Sequence, residues 1–272
     1  MKLHEFASEF RDLISVVALD KHIPESAIER FSEDIDLTFL GMELSDKNCS
    51  KTIKKIEQVM IAGAEFEKIE AERSSRSKSM YVWFGDEANR VKLEIGSSIR
   101  PDPFDKRTIK TYIQDFLERN DGLEDIEKYE LEEVTLNVLR IERTFIDKLM
   151  SVKRHAICGT IEGKVRHIYD VTRMFSMEEI QSFLRNEEEL KRLVQITKST
   201  DAFYLQKRGV TKEYDPTEPY EFEAWRHYLT SDVCSNYENL HKDLLYTDEK
   251  QNFDLAIDTF SKMSSILKRI GE

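Results

Sequence analysis

Ile28-Glu29-Arg30-Phe31-Ser32-Glu33-Asp34-Ile35-Asp36-Leu37-Thr38-Phe39 is the stretch on which the reading of this chain turns. Acidic and apolar residues alternate toward its end, the pattern of a β-strand, whose successive side chains point to opposite faces. Asp34, Asp36 and Thr38 then share one face, and Ile35, Leu37 and Phe39 share the other. Two carboxylates two residues apart on one face sit close enough to share a divalent cation. Mg²⁺ favours such oxygen ligands and completes its shell with water and substrate phosphates. An edge strand turning its acids to solvent has the same pattern, so a D-x-D alone leaves both readings open.

Working outward, Leu3, Phe6, Phe10, Leu13, Ile14 and Val17 recur at helical spacing over residues 3–19. Pro24 is placed to open a second short helix carrying Ala27 and Ile28. After the acidic strand, residues 50–72 read as a long charged helix and the Ser-rich 74–79 as a loop. Residues 80–84 and 91–95 read as two strands of a hairpin, with Lys92 and Glu94 on one face of the second. Glu94 is therefore a candidate third carboxylate beside the aspartate pair, or equally a solvent-facing glutamate. Pro101 and Pro103 mark a connector, 106–119 a helix, and 129–141 a further strand. From Thr144 the pattern is helical almost to the end, with a capping box at Ser176-Met177-Glu178-Glu179 and a terminal helix over 251–270. The expected plan is α+β, an N-terminal domain over 1–141 followed by a helical domain over 142–272.

Composition narrows the class. The chain has 272 residues, 40% hydrophobic and 35% charged, the mix of a helix-rich globular protein with ample core. No apolar run is long enough to span a bilayer, and the N-terminus lacks the pattern of a signal peptide. Cys49, Cys158 and Cys234 are odd in number with no C-x-x-C, which points to a reducing compartment, hence the cytoplasm, and away from structural zinc. The net charge of -12 means that any nucleic-acid contact must come from a local basic patch.

Two further segments carry candidate chemistry. In Glu142-Arg143-Thr144-Phe145-Ile146-Asp147-Lys148-Leu149 a strand hands over to a helix bearing Lys148, a compact charge suited to phosphate oxygens or an ordinary surface lysine. In Lys164-Val165-Arg166-His167-Ile168-Tyr169-Asp170-Val171-Thr172-Arg173, Arg166 and Asp170 are one helical turn apart, where pairing is the default. Residues 148–173 hold six Lys/Arg against two acids, a local excess that suits a polyanion. His155, His167 and His227 show no metal spacing, and neither G-x-S-x-G nor a P-loop is present.

Taken together, residues 28–37 (IERFSEDIDL), 142–149 (ERTFIDKL) and 166–173 (RHIYDVTR) resemble the nucleotidyl transferase AbiEii/AbiGii toxin family, which includes the MenT-like toxins. The resemblance implies a polymerase-β-like nucleotidyltransferase core, a mixed sheet with helices, followed by a helical C-terminal half. It implies a toxin of a toxin–antitoxin or abortive-infection system that transfers NMP from an NTP to an acceptor, the 3′ end of tRNA, with Mg²⁺. Asp34, Asp36, Lys148 and Asp170 would be the catalytic residues. Ser32, Lys148 and Arg166 would contact the nucleotide, and Asp34, Asp36 and Glu94 would hold the metal. A cognate antitoxin would be the protein partner.

One departure stands against the match. Members carry a Gly-Gly-Thr/Ser element shortly before the acidic strand, and here no glycine precedes Gly41. Such glycines let backbone amides approach a triphosphate. An internal deletion would remove that cradle, weaken triphosphate binding, and leave the acidic strand an exposed edge or a rearranged N-terminal neighbour. The rival expectation is a catalytically impaired remnant that binds an antitoxin or RNA. A third, a metal-dependent nuclease using the same carboxylates, predicts RNA shortening.

Overall fold

The computed structural model describes residues 17–19, 30, 34–39, 44–97, 102–131, 133–208 and 213–272. The chain divides into two compact units: residues 32–140 with the strand at 17–19, and residues 141–272 with Arg30. The mixed α+β class expected from sequence is the one observed.

Among the described residues the first unit is built on a seven-stranded mixed sheet in the order β3-β4-β5-β2-β1-β7-β6. Its strands are β1 (Val17–Leu19), β2 (Asp34–Phe39), β3 (Glu65–Lys68), β4 (Ser77–Trp83), β5 (Val91–Gly96), β6 (Phe104–Ile109) and β7 (Val134–Leu139). β2 is an interior strand, antiparallel to β1 and parallel to β5. β1 in turn runs parallel to β7. Helix α1 (Asp46–Met60) covers the sheet beside β2. Ser45 caps it, its hydroxyl accepting from the Asn48 N–H. Cys49, Ile53 and Ile56, at one-turn spacing, pack on Phe39, Met80, Leu93 and Ile95. Arg73 reaches back to Glu57 on that helix at 2.6 Å.

Several sequence expectations are corrected here. The helix read over 3–19 lies largely outside the described residues, as does the short helix after Pro24, and Val17–Leu19 is a strand. An all-apolar triplet suits an interior strand as well as a helix, and pairing with β2 and β7 decides. The acidic strand thus has a neighbour on both sides. The long helix over 50–72 ends at Met60, where the chain turns through Gly63 at φ 75 into β3. The Ser-rich 74–79 runs into β4 rather than staying a loop. Residues 104–109 are a strand, β6, paired along its length with β7, and the helix α2 (Tyr112–Arg119) starts only afterwards, capped by Thr111. A second helix, α3 (Leu123–Lys128), follows it.

The second unit is helical. Its centre is α4 (Ile141–Ile157), of whose seventeen residues thirteen are buried. Around it lie α5 (Val165–Phe175), α6 (Glu178–Arg185), α7 (Glu187–Arg208), α8 (Phe222–Trp225), α9 (Ser231–Glu238) and α10 (Phe253–Arg269). One core joins them, with Phe145, Ile146, Leu149, Ile168, Val171, Met174 and Leu193 at its middle. At one end Trp225 meets Phe222 edge-on at 4.9 Å and Phe260 at 6.0 Å. The expected capping box does not form: Met177 occupies the cap position, and the Ser176 hydroxyl donates instead to the Arg173 carbonyl. No described helix is long and apolar enough to cross a membrane.

Phe260→Ala removes a fully buried ring from this aromatic cluster. Urea unfolding should show a loss of about 3–5 kcal/mol.

Candidate active site

The first unit supplies carboxylates. In the parallel pairing of β2 with β5, Asp34 lies across from Lys92 and Asp36 across from Glu94. Asp34 and Asp36 share a face, and register places Glu94 on that same face. Along the other face burial deepens from Ile35, 42% exposed, to Phe39, 3% exposed. The aspartates therefore sit at the open end of the strand, where both are partly exposed.

Glu94 is committed elsewhere in part. The Lys92 ammonium lies 2.5 Å from Glu94 and 2.8 Å from Glu72. Burial works against the charge on Lys92, and hydrogen bonds to Glu72 and Glu94 outweigh it, so its pKa is raised. Among the described residues no three His, Cys, Asp or Glu side chains are gathered into a metal site. The donor set fits a hard cation held by two carboxylates, with water and phosphate completing its shell, and does not fit a full protein cage. The backbone aligns Glu94 with the aspartate pair, and Lys92 engages its side chain.

The second unit supplies cations around a buried acid. Lys148, two turns into α4, points its ammonium at Asp170 on α5, 2.7 Å from Oδ2. Arg30 grips the same carboxylate from the far side of the sequence, Nε donating to Oδ1 at 2.6 Å and a terminal nitrogen to Oδ2 at 2.9 Å. Asp170 is fully buried, Lys148 5% exposed. Burial alone would raise the Asp170 pKa; Lys148 and Arg30 reverse that and hold it below its ordinary value. Both cations thus converge on the one buried carboxylate.

The rest of α4 is equally inward. Arg143 donates to Asp147 at 2.9 Å, and the Thr197 hydroxyl donates to the same oxygen at 2.7 Å. Arg154 clasps Asp201 at 2.9–3.0 Å, and Lys153 donates to the Pro219 carbonyl at 2.9 Å. Burial lowers the Lys153 pKa. The basic excess over 148–173 is only partly at the surface: Lys148 and Lys153 are buried and Arg154 is held by Asp201, while Lys164, Arg166 and Arg173 are partly exposed. Arg166 lies in the first turn of α5 and is partly buried. Ser32 lies outside the described residues.

Arg30 is the residue that sequence reasoning missed. It stands 140 positions from its partner, and no local pattern distinguishes it from a surface arginine. The Arg166–Asp170 spacing suggested a local pair; the strong partners that Asp170 has are Arg30 and Lys148.

Removing the Asp170 charge takes from two buried cations an anion to which both are directly bonded. Asp170→Asn should cost about 3–5 kcal/mol in urea unfolding at pH 7. The pH dependence follows from the lowered pKa. In acid the unfolded Asp170 takes up its proton first, near its ordinary 3.8. Its stabilisation is therefore complete at neutral pH and is lost as pH falls through the lower folded value. Between pH 5 and pH 2 the gap between wild type and Asp170→Asn should close.

With this geometry in hand, comparison with known proteins is informative. Residues 17–256 match the family described as nucleotidyl transferase AbiEii toxin of type IV toxin–antitoxin systems. No curated protein matches the chain. Among solved structures, MenT4, a nucleotidyltransferase toxin from Mycobacterium tuberculosis H37Rv, is similar at 16% identity and TM-score 0.45, over 93% of this chain and 85% of that one. A protein from H. pylori assigned as a nucleotidyltransferase is similar at 14% identity and TM-score 0.36, over 88% of this chain and 95% of that one. The family match spans far more than half of the sequence, and all three motif segments fall within it. The chain belongs to the AbiEii nucleotidyl transferase toxin family.

Proposed function

We propose that this chain transfers a nucleoside monophosphate from a nucleoside triphosphate to a hydroxyl of an RNA acceptor, the 3′ end of a tRNA, as the toxin of a cytoplasmic toxin–antitoxin pair. The observation that carries the reading is the aspartate pair, two carboxylates on one face at the open end of an interior strand. Asp34 and Asp36 would hold Mg²⁺, which when bound supplies charge neutralisation for the attacking and leaving oxygens. The acceptor oxygen attacks the α-phosphorus, the bond to the bridging oxygen breaks, and pyrophosphate leaves. Lys148 is the residue we assign to the phosphates. Its ammonium is held in place by Asp170, and it stands in one of the three segments that resemble the family. Asp170 is then a positioning residue: it fixes the Lys148 ammonium and keeps it charged. Ser32, Arg166 and Glu94 are assigned to nucleotide and metal contacts on the family resemblance. The protein partner is a cognate antitoxin.

A second reading, a catalytically impaired chain that still binds a partner or RNA, is favoured by one observation: no glycine precedes Gly41. Without a glycine cradle, triphosphate affinity falls while the carboxylates remain.

Purified protein is incubated with Mg²⁺, total tRNA and each of the four α-labelled NTPs in turn. Transfer predicts RNA lengthened by label from at least one of them, abolished by EDTA. Asp36→Asn should lower the rate by at least about a hundredfold, the scale of losing a group that stabilises transferred charge. Its melting temperature should stay near wild type, since Asp36 is partly exposed. Shortened RNA would replace this reading with a nuclease. Partner binding without saturable NTP binding, unchanged by Asp36→Asn, would replace it with the impaired chain.

A further inference from the structure

Helix α2 is turned inside out. Its buried position is a polar one, Gln114, whose Oε1 finds no hydrogen-bond partner among the described residues. Beside it Asp115 and Glu118, both partly buried, face Lys110: Asp115 lies 3.1 Å from the ammonium, and Glu118 contacts it more closely. Two of its large apolar residues face water. Ile113 and Phe116, three apart and so on one side of the helix, are 66% and 63% exposed. At the corner that follows, the Gly122 N–H donates to the Leu117 carbonyl at 2.8 Å. A Cβ at Gly122 would meet a Leu117 methyl at 2.7 Å, so the corner is tight. It leads into α3 with Leu123 67% exposed. Single exposed apolar residues need no explanation, but a helix that buries its amide and exposes its phenylalanine does.

The charge around this corner selects the occupant. Residues 111–131 hold seven acidic side chains against two basic ones. RNA is a polyanion and is repelled. A second copy would bring its own acidic corner and a net charge of -12. The chain's own amphipathic stretch, residues 3–19, carries three acids and one base and is no complement. We infer that the α2–α3 corner docks a basic amphipathic helical segment of another protein. The partner's apolar face would cover Ile113, Phe116 and Leu123, and its lysines or arginines would lie along Asp121, Glu124, Asp125 and Glu127. This surface is independent of the nucleotidyl-transfer reading, because none of its residues belongs to the candidate site.

The test uses the full chain and a fluorescein-labelled eighteen-residue helix of alternating Leu and Lys faces, followed by anisotropy. Wild type should bind it at micromolar concentration. Ile113→Ser/Phe116→Ser/Leu123→Ser keeps every charge and should weaken binding at least about tenfold, given the apolar area removed. Leu255→Ser, an equally exposed leucine on α10, should change nothing. Glu124→Lys/Asp125→Lys should also weaken binding, and the matching Leu/Glu peptide should not bind. All three exposed-residue variants should keep the wild-type melting temperature. Equal binding by the triple serine variant would overturn the proposal by reducing it to bulk charge attraction. So would a wild-type dimer in sedimentation that the triple variant abolishes, or preferential binding to phosphatidylcholine vesicles.

Discussion

A carboxylate with no exposed surface does not stay ionised in a protein interior unless cations surround it. Asp170 has two, and what they require shapes the helical unit. Lys148 must lie on a helix that passes directly over α5, which makes α4 the inward, nearly all-buried axis of the unit. Arg30 must come from the other end of the sequence, so a segment just ahead of the acidic strand is grouped with the helical unit rather than with the sheet. Desolvating three charges is costly, and only the paired geometry offsets it. A fold that needed stability alone would have filled this volume with apolar side chains. That it keeps three ionic ones fits a position where a lysine has to be held charged and still.

Each unit has its own arrangement of charge. The sheet unit carries the acids, partly exposed and at the open end of a strand. The helical unit holds Lys148 and Arg30 around a buried carboxylate. Two further arginines of α4 are held in ion pairs, Arg143 with Asp147 on the same helix and Arg154 with Asp201 on α7.

How much of this could be read from the residues differs by element. The aspartate strand, the hairpin of β4 and β5 and the terminal helix announced themselves, because alternation or helical spacing is local. The alignment of Glu94 with Asp36 was also accessible, since both lie on strands whose facing could be written down. β3 and β6 were not: Glu65–Lys68 and Phe104–Ile109 are short, charged strands with mostly exposed side chains, and only pairing with β4 and β7 makes them strands. β1 was lost for the opposite reason, a purely apolar triplet continuing a helical rhythm. Lys148 and Asp170 were legible through family-like motifs, whereas their environment was not. Whether a lysine points to water or to a buried acid is decided by contacts between helices. Arg30 marks the limit, a contact 140 residues long with no local trace.

The most direct measurement is a double-mutant cycle in urea unfolding at pH 7 with Lys148→Met, Asp170→Asn and the pair together. Buried and directly bonded charges should couple by more than about 1.5 kcal/mol, the lower range for close pairs shielded from solvent. Additive effects, with a coupling near zero, would mean that Lys148 and Asp170 do not hold one another and that the organising triad is not there.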